Sequence, residues 1–218
     1  MSKIDINLSG LPNEPPTPAV KRRGNRITRV PEILEVSIAV FAAEGAAGFS
    51  QRRVASEAGI RLNTLQHYFR TRDELLRSTI EEMAKRYLGH YRTIAKDKDR
   101  SADARLEAIA DEAFAAFSET GPGLSAFSLH CWSVAEHEVF VRKLMADLTG
   151  ELVDLLTGLV ALINPTLPSA ESFSRGQIIA SHLLGLIAFT RRVGHSKSDL
   201  DALKTSTKQV WRTISVAK

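Results

Sequence analysis

The sequence predicts an all-α protein: a three-helix N-terminal domain built around a helix-turn-helix, followed by a larger helical body. Two observations predict the class. Apolar residues recur at three- and four-residue spacing through almost every segment after residue 25, and no run alternates as a half-buried strand would. Between those segments stand the caps, glycines and prolines that start and stop helices. A third observation bounds the size. With 218 residues, 44% hydrophobic and 25% charged, the chain suffices for one ordinary domain or for a small one joined to a medium one.

Residues 1–25 hold Pro12, Pro15, Pro16 and Pro18 with few apolar groups, and are expected to be a disordered, basic-ended tail. The first helix is expected over 31–44, with Pro31 in its first turn, Leu34, Ile38 and Phe41 on one face, and Gly45 ending it. Ser50 caps a short second helix containing Val54, Ala55 and Ala58, and Gly59 stops it. A third helix spans 62–68. Thr71 opens the fourth with Glu74 three residues on, a capping box, and Leu76, Ile80, Met83 and Tyr87 form its stripe. The polar stretch 96–101 breaks the pattern. A longer helix follows over 102–119, with Leu106, Ile109, Ala113 and Phe117 on one face, until Gly121-Pro122-Gly123 interrupts it. The stretch 124–163 reads as two helices parted near Glu136. Pro165 and Pro168 precede another helix over 169–193, and the last is expected over 198–215, opened by a capping box of Ser198 with Asp201.

Composition narrows the function. A lone cysteine, Cys131, excludes an intramolecular disulfide. No uncharged run, 177–190 among them, reaches the about 18 residues a membrane span needs, and the N-terminus lacks the apolar stretch of a signal peptide, so a cytoplasmic protein without a membrane partner is expected. The net charge of +4 is unevenly spread: residues 21–72 sum to +6 and the rest to −2. A basic end on a near-neutral body suits a polyanion, although a solvated basic face would look similar.

The decisive segment is 49–76. Two short helices meet at Ala58-Gly59-Ile60-Arg61, a turn of the length and glycine content of a helix-turn-helix. Leu62, Leu65 and Phe69 fall on one face to pack inward, which turns Arg61, Asn63, Thr64, Gln66, His67 and Tyr68 outward. Nearly all of these can hydrogen-bond, and Asn63 or Gln66 can pair with adenine bidentately. The bland alternative is a helical hairpin with a polar face.

The run from Ile33 to Leu76 resembles the DNA-binding domain of the TetR family of transcriptional regulators. The matching residues are Ile33-Leu34, Phe41, Gly45, Ser50, Val54-Ala55, Ala58-Gly59-Ile60, Thr64-Leu65, Tyr68-Phe69, Arg72 and Leu75-Leu76. The resemblance implies that Ser50 and Tyr68 contact phosphates and that Arg72 does so from the start of the fourth helix, where the family usually has lysine. It also departs from the family pattern. Gln66 replaces a usual tyrosine, Arg61 a small capping residue, and Asn63 a common glycine. The expected DNA-facing set is Ser50, Gln51, Arg52, Arg61, Asn63, Thr64, Gln66, His67, Tyr68 and Arg72. Lys21-Arg22-Arg23 and Arg26 precede it as a basic arm, suited to a minor groove or simply to solubility.

The same resemblance makes the last two helices a dimerisation pair. The run 178–190 is uncharged all round and should be buried against several partners, with Gly185 permitting close approach, while Leu200, Leu203, Val210, Trp211 and Ile214 form a stripe on the final helix. An effector pocket is expected among the middle helices, with Phe114, Phe117, Phe127 and Trp132 as lining and His130, Cys131 and His182 as polar anchors, although aromatics at this spacing are more often plain core. His130, Cys131 and His137 make a poor metal set, and no metal or cofactor is expected. The domains are thus 1–25 tail, 26–75 helix-turn-helix domain, and 76–218 effector-binding and dimerisation domain. The function so read is a regulator, most naturally a repressor, that binds double-stranded operator DNA as a homodimer and is released by a small apolar or amphipathic effector. Two rivals stand beside it. A helical enzyme would need a nucleophile–base pair, paired carboxylates or a cofactor motif, none of which the sequence offers in a plausible setting. A structural DNA-binding protein without an effector would have a solid middle domain.

Overall fold

The computed structural model describes residues 26–117, 123–193 and 196–217. The tail 1–25, with its basic arm up to Arg23, and the Gly121-Pro122 break lie outside the described residues. Among those described, nine helices follow in order: α1 (Arg26–Gly48), α2 (Gln51–Glu57), α3 (Leu62–Tyr68), α4 (Arg72–Lys96), α5 (Ala102–Phe117), α6 (Leu124–Ala135), α7 (Val139–Ile163), α8 (Ser169–Val193) and α9 (Lys197–Val216). They contain no strand. None of these helices is long and apolar enough to cross a membrane.

Three boundaries differ from the sequence expectation. Helix α1 begins at Arg26, a turn and more before Pro31, so the proline sits inside the helix and removes one early hydrogen bond. The regular part of α1 does end at Gly45, whose φ of 64° and ψ of −162° belong to a region essentially reserved for glycine, and one further turn follows. Helix α9 opens at Ser196, not Ser198: its hydroxyl accepts from Asp199 N–H, and the Asp199 carboxylate accepts from Ser196 N–H, completing the box. Both serines stand three residues before an aspartate, and the earlier cap adds intrahelical bonds at no extra nucleation cost. Thr71 does cap α4 by accepting from Glu74 N–H at 3.1 Å, but Glu74 answers to Arg70 N–H at 2.8 Å rather than to the cap itself.

Two apolar cores organise the fold. The first joins α1–α4 to α6 and the start of α7, around Ile33, Phe41, Val54, Leu65, Leu75 and Leu76, each at most 2% exposed. The second joins α5, α7, α8 and α9 around Ile109, Leu156, Leu159, Ile179 and Trp211. Helix α4 runs through both, since Leu75 to Met83 lie in the first and Tyr91 in the second. Helices α7 and α8 make the most extensive helix pair. Gly176 makes their close approach possible: a Cβ there would lie 2.3 Å from Thr157 Oγ1 and 2.8 Å from Thr157 N. Gly185 faces open space within its own chain.

Candidate functional site

The N-terminal unit is assembled from short-range rules. Ser50 Oγ accepts from Arg53 N–H at 3.1 Å and so starts α2. Gly59, at φ 62°, makes the turn, and a β-carbon there would strain the backbone although it would touch nothing. Helix α3 then begins at Leu62 without a side-chain cap, because its N-cap is Arg61. Leu65 and Phe69 anchor α3 at 0% and 5% exposure, while Leu62 is only partly covered. Arg61, Asn63, Thr64, Gln66 and His67 are exposed, as the sequence predicts, and Tyr68 is half-buried with its ring edge-on to His67, 5.2 Å between centroids.

Some of these side chains already have partners. Gln51 donates to the Phe69 carbonyl at 2.6 Å and accepts from Gln66 at 3.4 Å, tying α2 to the end of α3. Arg53 bridges Glu44 and Glu57 and braces α2 against α1. Arg52 and Ser50 remain exposed. Arg72 reaches Glu138 at 3.0 Å, across to the α6–α7 junction, and also Asp73 at 3.4 Å. The arrangement is a helix-turn-helix whose second helix presents a continuous polar row, with basic groups at its flanks.

Behind this unit lies an apolar cavity of about 120 Å³ among α4, α6, α7 and α8. Helix α4 supplies Ile80, Met83, Tyr87 and Tyr91; α6 supplies Leu124, Phe127, Ser128 and Cys131. Met145, Leu148, Thr149 and Leu152 of α7 and Leu183, Leu184 and Ile187 of α8 close it. Burial pushes the Cys131 thiol up to about 12, so it stays protonated and behaves as a small apolar group.

Of the seven residues expected to line a pocket, Phe127 and Cys131 do so here. Phe114 and Phe117 instead edge a separate opening of about 640 Å³ between the end of α5 and the adjoining ends of α8 and α9, beside Lys197 and Lys204. His130 is turned toward α1: its ring lies against Gly45, where a Cβ would come within 2.7 Å of Nδ1, and 5.9 Å from the Phe41 ring. His182 accepts the Trp211 indole N–H at 2.9 Å, joining α8 to α9. Trp132 is half-buried outside both openings. Helical spacing told which residues face inward, but not which neighbouring helix each one meets. Of the residues missed, Met83 belongs to the α4 stripe that read simply as core and Tyr91 continues its spacing, while Thr149 lies in a stretch for which the sequence marked no face. Among the described residues no cluster of three metal-ligating side chains occurs.

Helix α6 therefore has two faces with different neighbours. Leu124, Phe127, Ser128 and Cys131 look into the cavity, and His130 abuts the kink of α1, while Phe127 also meets Phe41 edge-on at 5.1 Å. Whatever shifts α6 must move against the helix that carries the helix-turn-helix.

Comparisons agree with the geometry. Residues 33–79 match the family model of bacterial regulatory proteins, tetR family. The fold is similar to that of a TetR transcriptional regulator from Legionella pneumophila, at 15% identity and TM-score 0.71, over 87% of this chain and 98% of that one. It is similar to FadR, a transcriptional regulator from Bacillus subtilis solved in complex with stearoyl-CoA, at 16% identity and TM-score 0.69, over 84% and 98%. Reduced NemR from E. coli matches at 15% identity and TM-score 0.67, over 82% and 94%. No curated protein sequence matches the chain.

Proposed function

We propose that the chain is a homodimeric repressor of the bacterial tetR family, released from operator DNA by a small molecule; the family-model match over residues 33–79 and the similarity of the fold support this reading. The observation that carries this reading is the double contact of α6, with the cavity on one side and the Gly45 kink of α1 on the other. A molecule filling the cavity acts on α6, α6 acts on α1, and α1 carries α2 and α3. A ligand that favours a wider separation of the two reading heads lowers operator affinity by its differential affinity for that state.

In this reading Asn63, Thr64 and His67 meet base edges, with Arg61 and Gln66 beside them. Ser50, Gln51, Arg52, Tyr68 and Arg72 hold phosphates. Dimerisation uses the outer faces of α8 and α9, where Ile178, Phe189 and Val210 are 48%, 49% and 44% exposed in the single chain. Two helices from each subunit form a four-helix contact about a two-fold axis. The domain division at 75/76 is functional rather than a break in the backbone, since α4 runs on to Lys96.

Selection of bound sequences from random DNA, followed by anisotropy titration, tests the reading. A palindromic site bound by a dimer supports it; indiscriminate binding without half-sites overturns it in favour of the effector-free structural protein. The cavity already argues against that rival, since it leaves space where a purely structural domain would be filled.

A further inference from the structure

The lining of the central cavity limits what can enter it. The polar residues among its lining are all neutral: Tyr87, Tyr91, Ser128, Thr149 and Cys131. No lysine, arginine, histidine, aspartate or glutamate side chain is among the described residues that line it. Tyr91, Ser128 and Thr149 make no hydrogen bond through their hydroxyls within the described residues, so these remain available to a guest. An ionised guest would lose its hydration shell and find no counter-charge, a cost that neutral hydroxyls cannot offset. Burial, and secondarily the Glu112 carboxylate, raise the Tyr91 phenol above its usual range, so it stays a neutral donor.

Size sets the second limit. The volume of about 120 Å³ is close to the roughly 150 Å³ of an engineered apolar cavity that accepts benzene. Met83 and Met145 stand on its wall and, with unbranched side chains, can re-pack around a guest without altering the backbone.

We infer that the cavity takes an uncharged molecule of about single-ring size bearing one hydroxyl or carbonyl group, and that it discriminates against carboxylates and long acyl thioesters; this rests on reading the cavity as the effector site. The hydroxyl or carbonyl pairs with Tyr91, Ser128 or Thr149, and the hydrocarbon part covers Leu148, Leu152 and Leu183.

Isothermal titration of the full-length protein with benzyl alcohol, benzoate, benzylamine and dodecanoyl-CoA tests this, with operator release by each probe read in parallel. Benzyl alcohol is expected to bind at least about tenfold more tightly than benzoate or benzylamine, which share its ring and differ in charge. Ser128→Leu and Ala84→Leu, each filling part of the cavity, are expected to abolish that binding; two variants guard against one that fails to fold. Thr149→Lys is expected to gain benzoate binding by bringing a cation to the wall. Benzoate or dodecanoyl-CoA binding more tightly than benzyl alcohol, and releasing operator, overturns the ligand class while the effector reading stands. Silence of all four probes at millimolar concentration, or benzyl alcohol binding unchanged in both filled variants, overturns the cavity assignment and the effector reading together.

Discussion

Arg72 is claimed from two sides. Its guanidinium lies 3.0 Å from Glu138, and the two side chains keep 32% and 29% of their surface exposed. Ion pairs this open are typically worth about 1 kcal/mol or less, so an incoming phosphate can displace Glu138. The position at the first turn of α4 adds the partial positive charge of the helix end to the cation. Arg72→Ala is therefore expected to weaken operator binding about equally on all sequences and to lower the salt slope by roughly one unit. Glu138→Gln removes the internal competitor and should tighten binding a few-fold. Asn63→Ala or His67→Ala should instead cost about 1–3 kcal/mol at particular base pairs and leave the slope nearly unchanged. Anisotropy titrations at several salt concentrations, on sites with single-base substitutions, separate these outcomes. If Arg72→Ala altered base preference while the α3 variants changed only the slope, the roles would be reversed. The phosphate role proposed for Arg72 comes from the family resemblance; its pairing with Glu138, 66 residues away, was not legible in the sequence, because nothing local signals it.

At the scale of elements, helices were legible and their contacts were not. Caps and stops are local chemistry, which is why α3, α6, α7 and α8 fall almost where the sequence predicts them. A close crossing depends on the partner helix, and so Gly176, at the α7–α8 crossing, was overlooked. Gly176→Ala is expected to destabilise the protein by about 1–3 kcal/mol, because the added methyl collides with Thr157 backbone as well as with a rotatable hydroxyl. Urea unfolding at one fixed protomer concentration measures this, and Gly185→Ala, which meets nothing within 4 Å in its own chain, provides the contrast. The α8–α9 contact carries a pH dependence of its own. His182 must keep Nδ1 unprotonated to accept the Trp211 N–H, and burial lowers its pKa. With the folded value below the unfolded one, the neutral ring's contribution is fully present above the unfolded value of about 6.5 and is lost as pH falls through the folded value. His182→Gln should remove that part of the pH dependence of the unfolding midpoint. An unchanged profile would rule out His182 as its source.

The whole molecule is decided by the surface it leaves uncovered. The uncharged run on α8 suggested burial on every side, yet within one chain Ser174, Ile178, Ser181, Gly185 and Phe189 all remain exposed, a row at three- and four-residue spacing along the helix. Val210 and Val216 extend apolar exposure along α9. Trp211 and Ile214, which the sequence stripe assigned to the interface, point the other way: Trp211 is 1% exposed, bonded to His182, and Ile214 packs against the same core. Spacing gave the apolar residues of α9 a single stripe, but the helix divides them between its own core and its outer face. The dimer test therefore belongs on the outer row. In a two-fold contact each substitution enters twice, so a glutamate at 178 and another at 189 would place like charges in a desolvated interface. The double variant Ile178→Glu, Phe189→Glu is expected to sediment as a folded monomer and to lose operator affinity by roughly two orders of magnitude or more, because only one reading head then engages each molecule. Trp211→Ala should behave differently, losing helix content and cooperativity through a core cavity rather than dissociating cleanly. Light scattering together with circular dichroism distinguishes dissociation from unfolding. Wild-type protein found monomeric at micromolar concentration, or the double variant still dimeric and still bound to operator, would remove this face of α8 and α9 from the mechanism.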